Sequence, residues 1–141
     1  TVQVNRLAQW AREGLLCIGD AAHAMSPVGG VGINLAIQDA VAAANRLHNE
    51  FGPRGPALAA LADVQRRRDF PTRLTQRFQV LVQNNILQRV LEEDPGAAGR
   101  PMRPPFAARL LGRYRLLRRI PARLIGMGAR PEHIASPAVA A

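Results

Sequence analysis

Hydrophobic and polar positions alternate weakly at the start of the chain and then give way to a short continuous apolar run. Val2 and Val4 alternate with polar neighbours and Leu7 continues the spacing. This pattern predicts a strand with one buried face. The apolar run at residues 15–18 does not alternate, so it predicts a second strand that is covered on both faces. Residues 12–14 are predicted to turn the first strand into the second.

Helical spacing replaces this pattern from residue 33 onward. Residues 33–48 are rich in alanine, which predicts a helix that approaches a sheet closely and is buried on more than one side. Two prolines and two glycines within residues 51–56 end that helix. A further apolar stripe over residues 57–91 predicts more helix, and Pro71 is expected to break or kink it.

The last third of the chain is basic and rich in proline. Residues 92–105 predict an exposed connector. The apolar stripe flanked by arginines at residues 106–120 predicts a basic amphipathic helix. The tail after Gly128 is expected to be loosely ordered. A basic helix of this kind can bind anionic membranes or nucleic-acid phosphates, but packing on the protein is the more common outcome. The patterns divide the chain into residues 1–50, 51–91, 92–105 and 106–141.

Composition narrows the class of protein. The chain has 141 residues, 48% of them hydrophobic, which suffices for a core. Its net charge of +9 comes from arginine without any lysine, a bias that weakens an inference of nucleic-acid binding. The single cysteine excludes an internal disulfide and suits the cytoplasm. No apolar run approaches the roughly 18 residues of a membrane span. The chain has no initiator methionine and begins within a strand pattern, so we expect a C-terminal fragment of a longer soluble, cytoplasmic protein.

A glycine-rich loop lies between the second strand and the first helix. Gly30 and Gly32 have no Cβ, so a flat ligand can lie against the backbone there, and the free amides of the helix start can donate to its electron-rich edge. Asp20 follows the strand, where a carboxylate can accept hydrogen bonds from a sugar-like chain. The alternative is a tight turn in which Asp20 caps Ala22 or His23. Local chemistry leaves both interpretations open.

The loop does not fit the dinucleotide fingerprint GxGxxG. That motif needs its first glycine directly after a strand and a third glycine or alanine three residues after the second. Gly30 instead lies ten positions after Asp20, and Leu35 occupies the third position.

The other reactive side chains favour structural roles. Cys17 lies in the predicted buried strand and is expected to be an inert thiol. His23 is expected to hydrogen-bond to backbone, and the two other histidines are too isolated for a metal site. Asp39 near the start of a helix suits the helix dipole, and residues 66–68, all arginine, are interpreted as a solvated helix end. We therefore assign no catalytic residue and no metal.

One pattern runs through the loop without a gap: Gly19-Asp20-Ala21-Ala22-His23, then Pro27-x-x-Gly30-x-Gly32-x-Asn34-x-Ala36-x-x-Asp39-Ala40. It resembles the second flavin-binding motif of the FAD-dependent aromatic hydroxylases, the group typified by para-hydroxybenzoate hydroxylase. The flanking Arg6-Leu7-x-x-Trp10 and the helices to about Val90 resemble that family more weakly. The resemblance implies an α/β fold, the C-terminal part of a FAD-binding Rossmann-like domain, followed by a mostly α-helical region.

The resemblance also implies roles for residues in the loop. The aspartate that matches Asp20 binds the ribityl hydroxyls of FAD, the proline that matches Pro27 lies against the isoalloxazine ring, and the amides around residues 32–34 approach the pyrimidine edge. A helix N-terminus suits negative charge that develops there on reduction. The cofactor-binding residues implied in this way are Gly19, Asp20, Pro27, Gly30, Gly32, Ile33 and Asn34.

The chain departs from the family at the other end. The family's first motif, a GxGxxG on an N-terminal strand, is missing, and so are the stretch that contacts FAD and NAD(P)H and most of the substrate sheet. We therefore expect the flavin-binding part of an NAD(P)H-dependent monooxygenase that hydroxylates an aromatic or similar small apolar substrate. Alone, the chain is expected to be inactive and to bind FAD weakly or not at all, and whether it forms a homodimer is left open. The alternative is a non-catalytic helical interaction module that retains the motif as a relic.

Overall fold

The structure, a computed structural model, describes residues 4–27, 30–92, 113–114, 119, 122–123, 126–135 and 137. Its elements are two short strands, a 3-10 turn and two helices. In chain order they are β1 (Ala11–Arg12), β2 (Leu15–Leu16), the 3-10 turn (Gly19–Ala21), α1 (Val31–Leu47) and α2 (Leu58–Glu92).

The two strands form a minimal hairpin. β1 and β2 are antiparallel, with Ala11 opposite Leu16 and Arg12 opposite Leu15. The turn between them uses Gly14 at φ +71°, a left-handed conformation that favours glycine. Leu15 is 55% exposed, so the prediction that both faces of this strand are covered is wrong. The physical reason is that β1 is the only strand that pairs with it within the described part of the chain.

Residues 4–9 do not form a strand. The amide of Asn5 donates to the carbonyl of Ala24 at 3.1 Å, and the amide of Leu7 donates to the carbonyl of Ala22 at 2.8 Å. Leu7 is exposed, so the predicted strand with a buried face is wrong for this segment. These two bonds nevertheless tie the start of the chain to the residues that follow the 3-10 turn.

Helix α1 begins at Val31 and ends at Leu47, close to the predicted bounds. Its buried positions form one stripe: Val31, Leu35, Asp39, Ala42 and Leu47. Ile33 and Ile37 are 71% and 58% exposed. The expectation that this helix is buried on more than one side is therefore wrong for the described chain. One face packs on α2 and on the 3-10 turn.

Helix α2 is continuous from Leu58 to Glu92 and includes Pro71. The missing amide of a proline removes one intrahelical hydrogen bond, to the carbonyl four residues earlier. The helix nevertheless continues on both sides of Pro71, so the expected break is absent, and the alternative of a kink at Pro71 stays a prediction. The Thr75 hydroxyl donates to the Pro71 carbonyl at 2.9 Å.

The hydrophobic core lies where the two helices meet the hairpin. It consists of small and medium side chains: Ala11, Ala42, Leu47, Ala60, Leu61 and Val64. These elements make a small α/β unit, as predicted. A parallel Rossmann-like sheet is not among the described elements, so that part of the fold class stays a prediction. Within the described residues no helix is both long enough and apolar enough to span a membrane.

The C-terminal strap, defined here as residues 126–135, packs on α1. The Gln38 side-chain amide donates to the Met127 carbonyl at 2.8 Å. The Asn45 side chain donates to the His133 carbonyl at 2.7 Å and accepts the Ala135 amide at 2.7 Å. The expectation of a loosely ordered tail is therefore wrong for these residues. The predicted connector at 92–105 and basic helix at 106–120 lie almost wholly outside the described residues.

Candidate functional site

A cavity of about 230 Å³ opens between the 3-10 turn and the start of α1. Its lining joins five residues of the predicted flavin set with two others: Asp20, Pro27, Gly30, Gly32 and Ile33, with Met25 and Ser26. Asn34 and Gly19 complete the predicted set but do not line the cavity. Asn34 is half-buried in the first turn of α1, and Gly19 is the buried first residue of the 3-10 turn. The fold thus gathers most of the predicted residues around one space.

The N-terminus of α1 faces this cavity without a cap. Gly30 precedes the helix at φ +64°, no side chain caps it, and no acidic residue lies in its first turn. The first amides of a helix have no intrahelical partner and carry a partial positive charge. A Cβ built on Gly30 would meet no other atom of the described chain within 4 Å. The geometry therefore leaves room for an electron-rich edge in front of the helix.

Asp20 offers a carboxylate to the same space. The amides of Ala22 and His23 both donate to the Gly19 carbonyl at 2.9 Å. The alternative in which Asp20 caps one of these amides is therefore wrong. Asp20 is exposed, and within the described chain its carboxylate makes no hydrogen bond or ion pair. It is available to accept hydrogen bonds from ligand hydroxyls.

A buried carboxylate lies behind the cavity. Asp39 is 0% exposed and accepts hydrogen bonds from the Gly19 amide at 3.1 Å, His23 Nε2 at 2.5 Å and Arg68 Nε at 2.9 Å. Burial alone raises the pKa of the Asp39 carboxyl, but the hydrogen bonds from His23 and Arg68 outweigh burial and hold that pKa below its usual range. Because a carboxylate only accepts, the shared proton lies on His23 Nε2. His23 Nδ1 is buried without a hydrogen-bond partner among the described residues.

Arg68 connects this carboxylate to the C-terminal strap. Its guanidinium is 0% exposed and donates to the Arg130 carbonyl at 3.0 Å and to Gln38 Oε1 at 3.2 Å. Glu132 Oε1 lies 3.5 Å from Arg68 NH1 and 2.7 Å from Arg67 Nε. The Glu132 side chain is itself 1% exposed. Charged groups with so little exposure are stable only when they are paired and hydrogen-bonded.

Three predictions about these side chains need correction. His23 binds the Asp39 carboxylate through its ring, whereas a backbone partner was expected. Residues 66–68 lie within a 35-residue helix and not at its end, and Arg68 is buried, whereas Arg66 and Arg67 are exposed to solvent as predicted. Cys17 follows β2 directly and is half-buried, so it does not lie in a buried strand as predicted. Asp39 has the structural role that was favoured, through an ion pair in place of the helix dipole.

Helical phase could have revealed Arg68. Leu61, Val64 and Arg68 are spaced by three and four residues, so they share one face of α2. The first two are apolar core residues, and a charge on their stripe must find a buried partner.

Comparison with known proteins agrees with the geometry. Residues 1–78 match the FAD binding domain family. The chain is 42% identical over 114 residues to 6-methylpretetramide 4-monooxygenase of Streptomyces rimosus, covering 79% of this chain and 26% of that protein. It is 33% identical over 126 residues to the FAD-dependent monooxygenase idtM of Claviceps paspali, covering 86% and 23%. It is 32% identical over 108 residues to the FAD-dependent monooxygenase trt8 of Aspergillus terreus, covering 77% and 25%.

The chain spans about a quarter of the length of these relatives. The family match covers more than half of the 141 residues and includes the 3-10 turn, the cavity and the buried Asp39–Arg68 pair. The chain therefore belongs to the FAD binding domain family, whose cofactor is FAD, as the motif from Gly19 to Ala40 predicted.

Proposed function

We propose that this chain is the flavin-binding part of an NAD(P)H-dependent monooxygenase that hydroxylates an aromatic or similar small apolar substrate. The observation that carries the proposal is the cavity in which Asp20, Pro27 and the start of α1 meet. The three relatives are monooxygenases by name, which supports the reaction type. The chain's own residues supply binding and electrostatics for the flavin.

The size of the cavity supports partial occupancy by the cofactor. Pockets for whole ligands of drug size measure about 300–1,000 Å³. The cavity here measures about 230 Å³. A cavity of this size can enclose only a part of FAD, such as the edge of the ring with the start of the ribityl chain, and the sequence has no GxGxxG loop that would hold the pyrophosphate. The adenosine half would be held by residues outside this chain.

Each lining residue has a chemical role in this proposal. The Asp20 carboxylate accepts hydrogen bonds from ribityl hydroxyls. The amides at the start of α1 donate to the oxygen and nitrogen atoms of the pyrimidine edge, and Pro27 covers a face of the ring. FAD, when bound, supplies the redox chemistry that side chains lack.

The start of α1 also provides a reason for the orientation of the ring. A helix N-terminus stabilises an adjacent negative charge by about 0.3–1 kcal/mol when exposed and by up to about 2 kcal/mol when partly buried. No acidic side chain lies in the first turn to compete for that charge. The helix therefore favours the reduced, more electron-rich flavin at this edge.

Binding of the two halves of the cofactor tests the proposal. FMN carries the ring and ribityl chain without adenosine, and ADP carries the adenosine half. In ¹⁵N-labelled chain, we expect FMN to shift the amides of residues 30–34 and ADP to leave them in place. Because hydrogen bonds to charged groups contribute about 1.5–3 kcal/mol, Asp20→Asn should weaken FMN binding roughly tenfold or more.

The matched control is Glu13→Gln, which removes an exposed acid that does not line the cavity. It should leave the FMN affinity unchanged. Equal affinities for wild type and Asp20→Asn would overturn the role of Asp20. A titration to about 5 mM FMN detects binding even when its free energy is weaker than about −4 kcal/mol. If FMN at that concentration shifts no amide near the cavity, the flavin site is refuted. That result would favour the non-catalytic interaction module.

A further inference from the structure

A continuous set of polar contacts links the C-terminal strap to the 3-10 turn of the flavin site. Glu132 contacts Arg68, Arg68 binds Asp39, and Asp39 accepts the amide of Gly19, the residue before Asp20. The three charged side chains are each at most 1% exposed. Water screens these charges very little, so a change in one of them acts directly on the next.

The 3-10 turn has little freedom to absorb a displacement of Asp39. Gly19 adopts φ +56°, and a Cβ there would lie 3.0 Å from the Cβ of Ala36 in α1. The turn therefore sits directly against the helix that carries Asp39. The same carboxylate holds the His23 ring, which packs against Trp10 with ring centroids 5.1 Å apart. Gly19 and His23, which lie on either side of Asp20 in sequence, thus both depend on the Asp39 carboxylate.

We propose that Glu132 is a positioning residue for the flavin site, and that it sets the place of the Gly19–Asp20 turn by holding Arg68 against Asp39. The position of a flavin-binding carboxylate is thereby determined by the C-terminal strap. The inference rests on the proposed function, because it assigns Asp20 to the flavin.

The arrangement of charges explains why Glu132 is needed. Arg68 lies between two buried carboxylates. Its Nε is 2.9 Å from Asp39 Oδ1, and its NH1 is 3.5 Å from Glu132 Oε1. When Glu132 is neutral, the guanidinium keeps its carboxylate partner Asp39 but loses the charge that holds its other end on the strap, so the Arg68–Asp39 pair is free to shift. The hydrogen bond to the Arg130 carbonyl also weakens as the strap loosens, whereas the one to Gln38 is to α1.

The test compares Glu132→Gln with Glu50→Gln. Glu50 also pairs with an arginine, Arg46, at 2.7 Å, but it is 33% exposed and lies outside the network. Because breaking a buried pair costs far more than breaking an exposed one, amide hydrogen exchange at Gly19 should be roughly tenfold faster or more in Glu132→Gln. It should be unchanged in Glu50→Gln. Exchange at the core position Ala42 should be unchanged in both.

A second variant leaves every charge in place. Asn45→Ala removes the side chain that binds His133 and Ala135 and so releases the C-terminal end of the strap from α1, while Gln38 still binds Met127. We expect faster exchange at Gly19 and weaker FMN binding in Asn45→Ala as in Glu132→Gln, by several-fold in each. If exchange at Gly19 and FMN affinity change in the same direction in both variants, then the position of Glu132 on Arg68 controls the Gly19–Asp20 turn.

Two results would overturn the proposal. One is unchanged Gly19 exchange in both variants. The other is equal acceleration at Gly19 and Ala42, which shows that Glu132 only stabilises the fold. Failure of the proposed function gives a different result, in which wild-type chain does not bind FMN while Gly19 exchange still responds to Glu132→Gln. That outcome supports the claim that Glu132 controls the position of the turn, and it refutes the claim that the turn binds flavin.

Discussion

The buried guanidinium of Arg68 provides the sharpest test of the interior of this chain. In Arg68→Met the apolar volume of the side chain is largely kept, while hydrogen bonds of 2.9 Å to Asp39, 3.0 Å to Arg130 and 3.2 Å to Gln38 are lost. Removing one partner of a buried ion pair costs about 3–5 kcal/mol, since the other charge stays buried without compensation. Domains are stable by about 5–15 kcal/mol. The variant should therefore lose a large part of its free energy of unfolding.

Urea denaturation followed by circular dichroism measures this loss. The matched control is Arg66→Met, the same substitution two residues earlier in α2. Arg66 is 77% exposed and pairs with Asp63, and a pair of that kind contributes about 0–1 kcal/mol. A loss in Arg68→Met that exceeds the loss in Arg66→Met by less than about 1 kcal/mol would refute the reasoning that burial makes this charge essential.

Three further predictions concern the same region. Although burial raises the pKa of Asp39, hydrogen bonds lower it overall, so its contribution to stability is complete above the unfolded value of about pH 3.9 and is lost as pH falls. Urea midpoints should therefore fall more steeply below about pH 4 in wild type than in Asp39→Asn; parallel curves would contradict this. Gly19→Ala should lower the melting temperature more than Gly14→Ala, because both have positive φ but only Gly19 meets Ala36 at 3.0 Å. Equal melting-temperature shifts in the two variants would show that the structure accommodates a Cβ at Gly19 beside Ala36 without cost. Thr72→Val should stabilise the chain by about 1 kcal/mol in urea denaturation, since the buried Thr72 hydroxyl has no partner among the described residues; a loss of stability would reveal one.

Local patterns predicted the elements around the cavity well. The end of the strand run, the glycine loop and the alanine-rich helix each have a short-range cause in turn geometry or helical periodicity. The observed α1 at Val31–Leu47 and the cavity beside Asp20 and Pro27 follow from those causes. The motif could be read because its residues are close in sequence.

Predictions that depended on distant partners were less accurate. The strand at residues 15–18 was expected to be covered on both faces, but coverage depends on neighbouring strands that residues 15–18 do not specify. The tail after Gly128, which includes most of the strap, was expected to be loosely ordered, as chain ends often are. Its position depends on Asn45 and Arg68, which lie far away along the chain. Composition near a residue therefore indicates its secondary structure better than its burial.

The Asp39–Arg68 pair shows that some of this distant information was nevertheless present in the sequence. Asp39 lies on the buried stripe of α1 with Leu35 and Ala42, and Arg68 lies on the buried stripe of α2 with Val64. Either charge alone on such a stripe would cost several kcal/mol, so a stable fold must bring the two together. That requirement fixes the register of the two helices, because an apolar contact tolerates a shift along the helix and a hydrogen-bonded ion pair does not. Opposite charges on two apolar stripes thus predict which helices pack and at which residues. Here the predicted contact lies directly behind the Gly19–Asp20 turn, so the same pair that aligns the helices also supports the turn that carries Asp20.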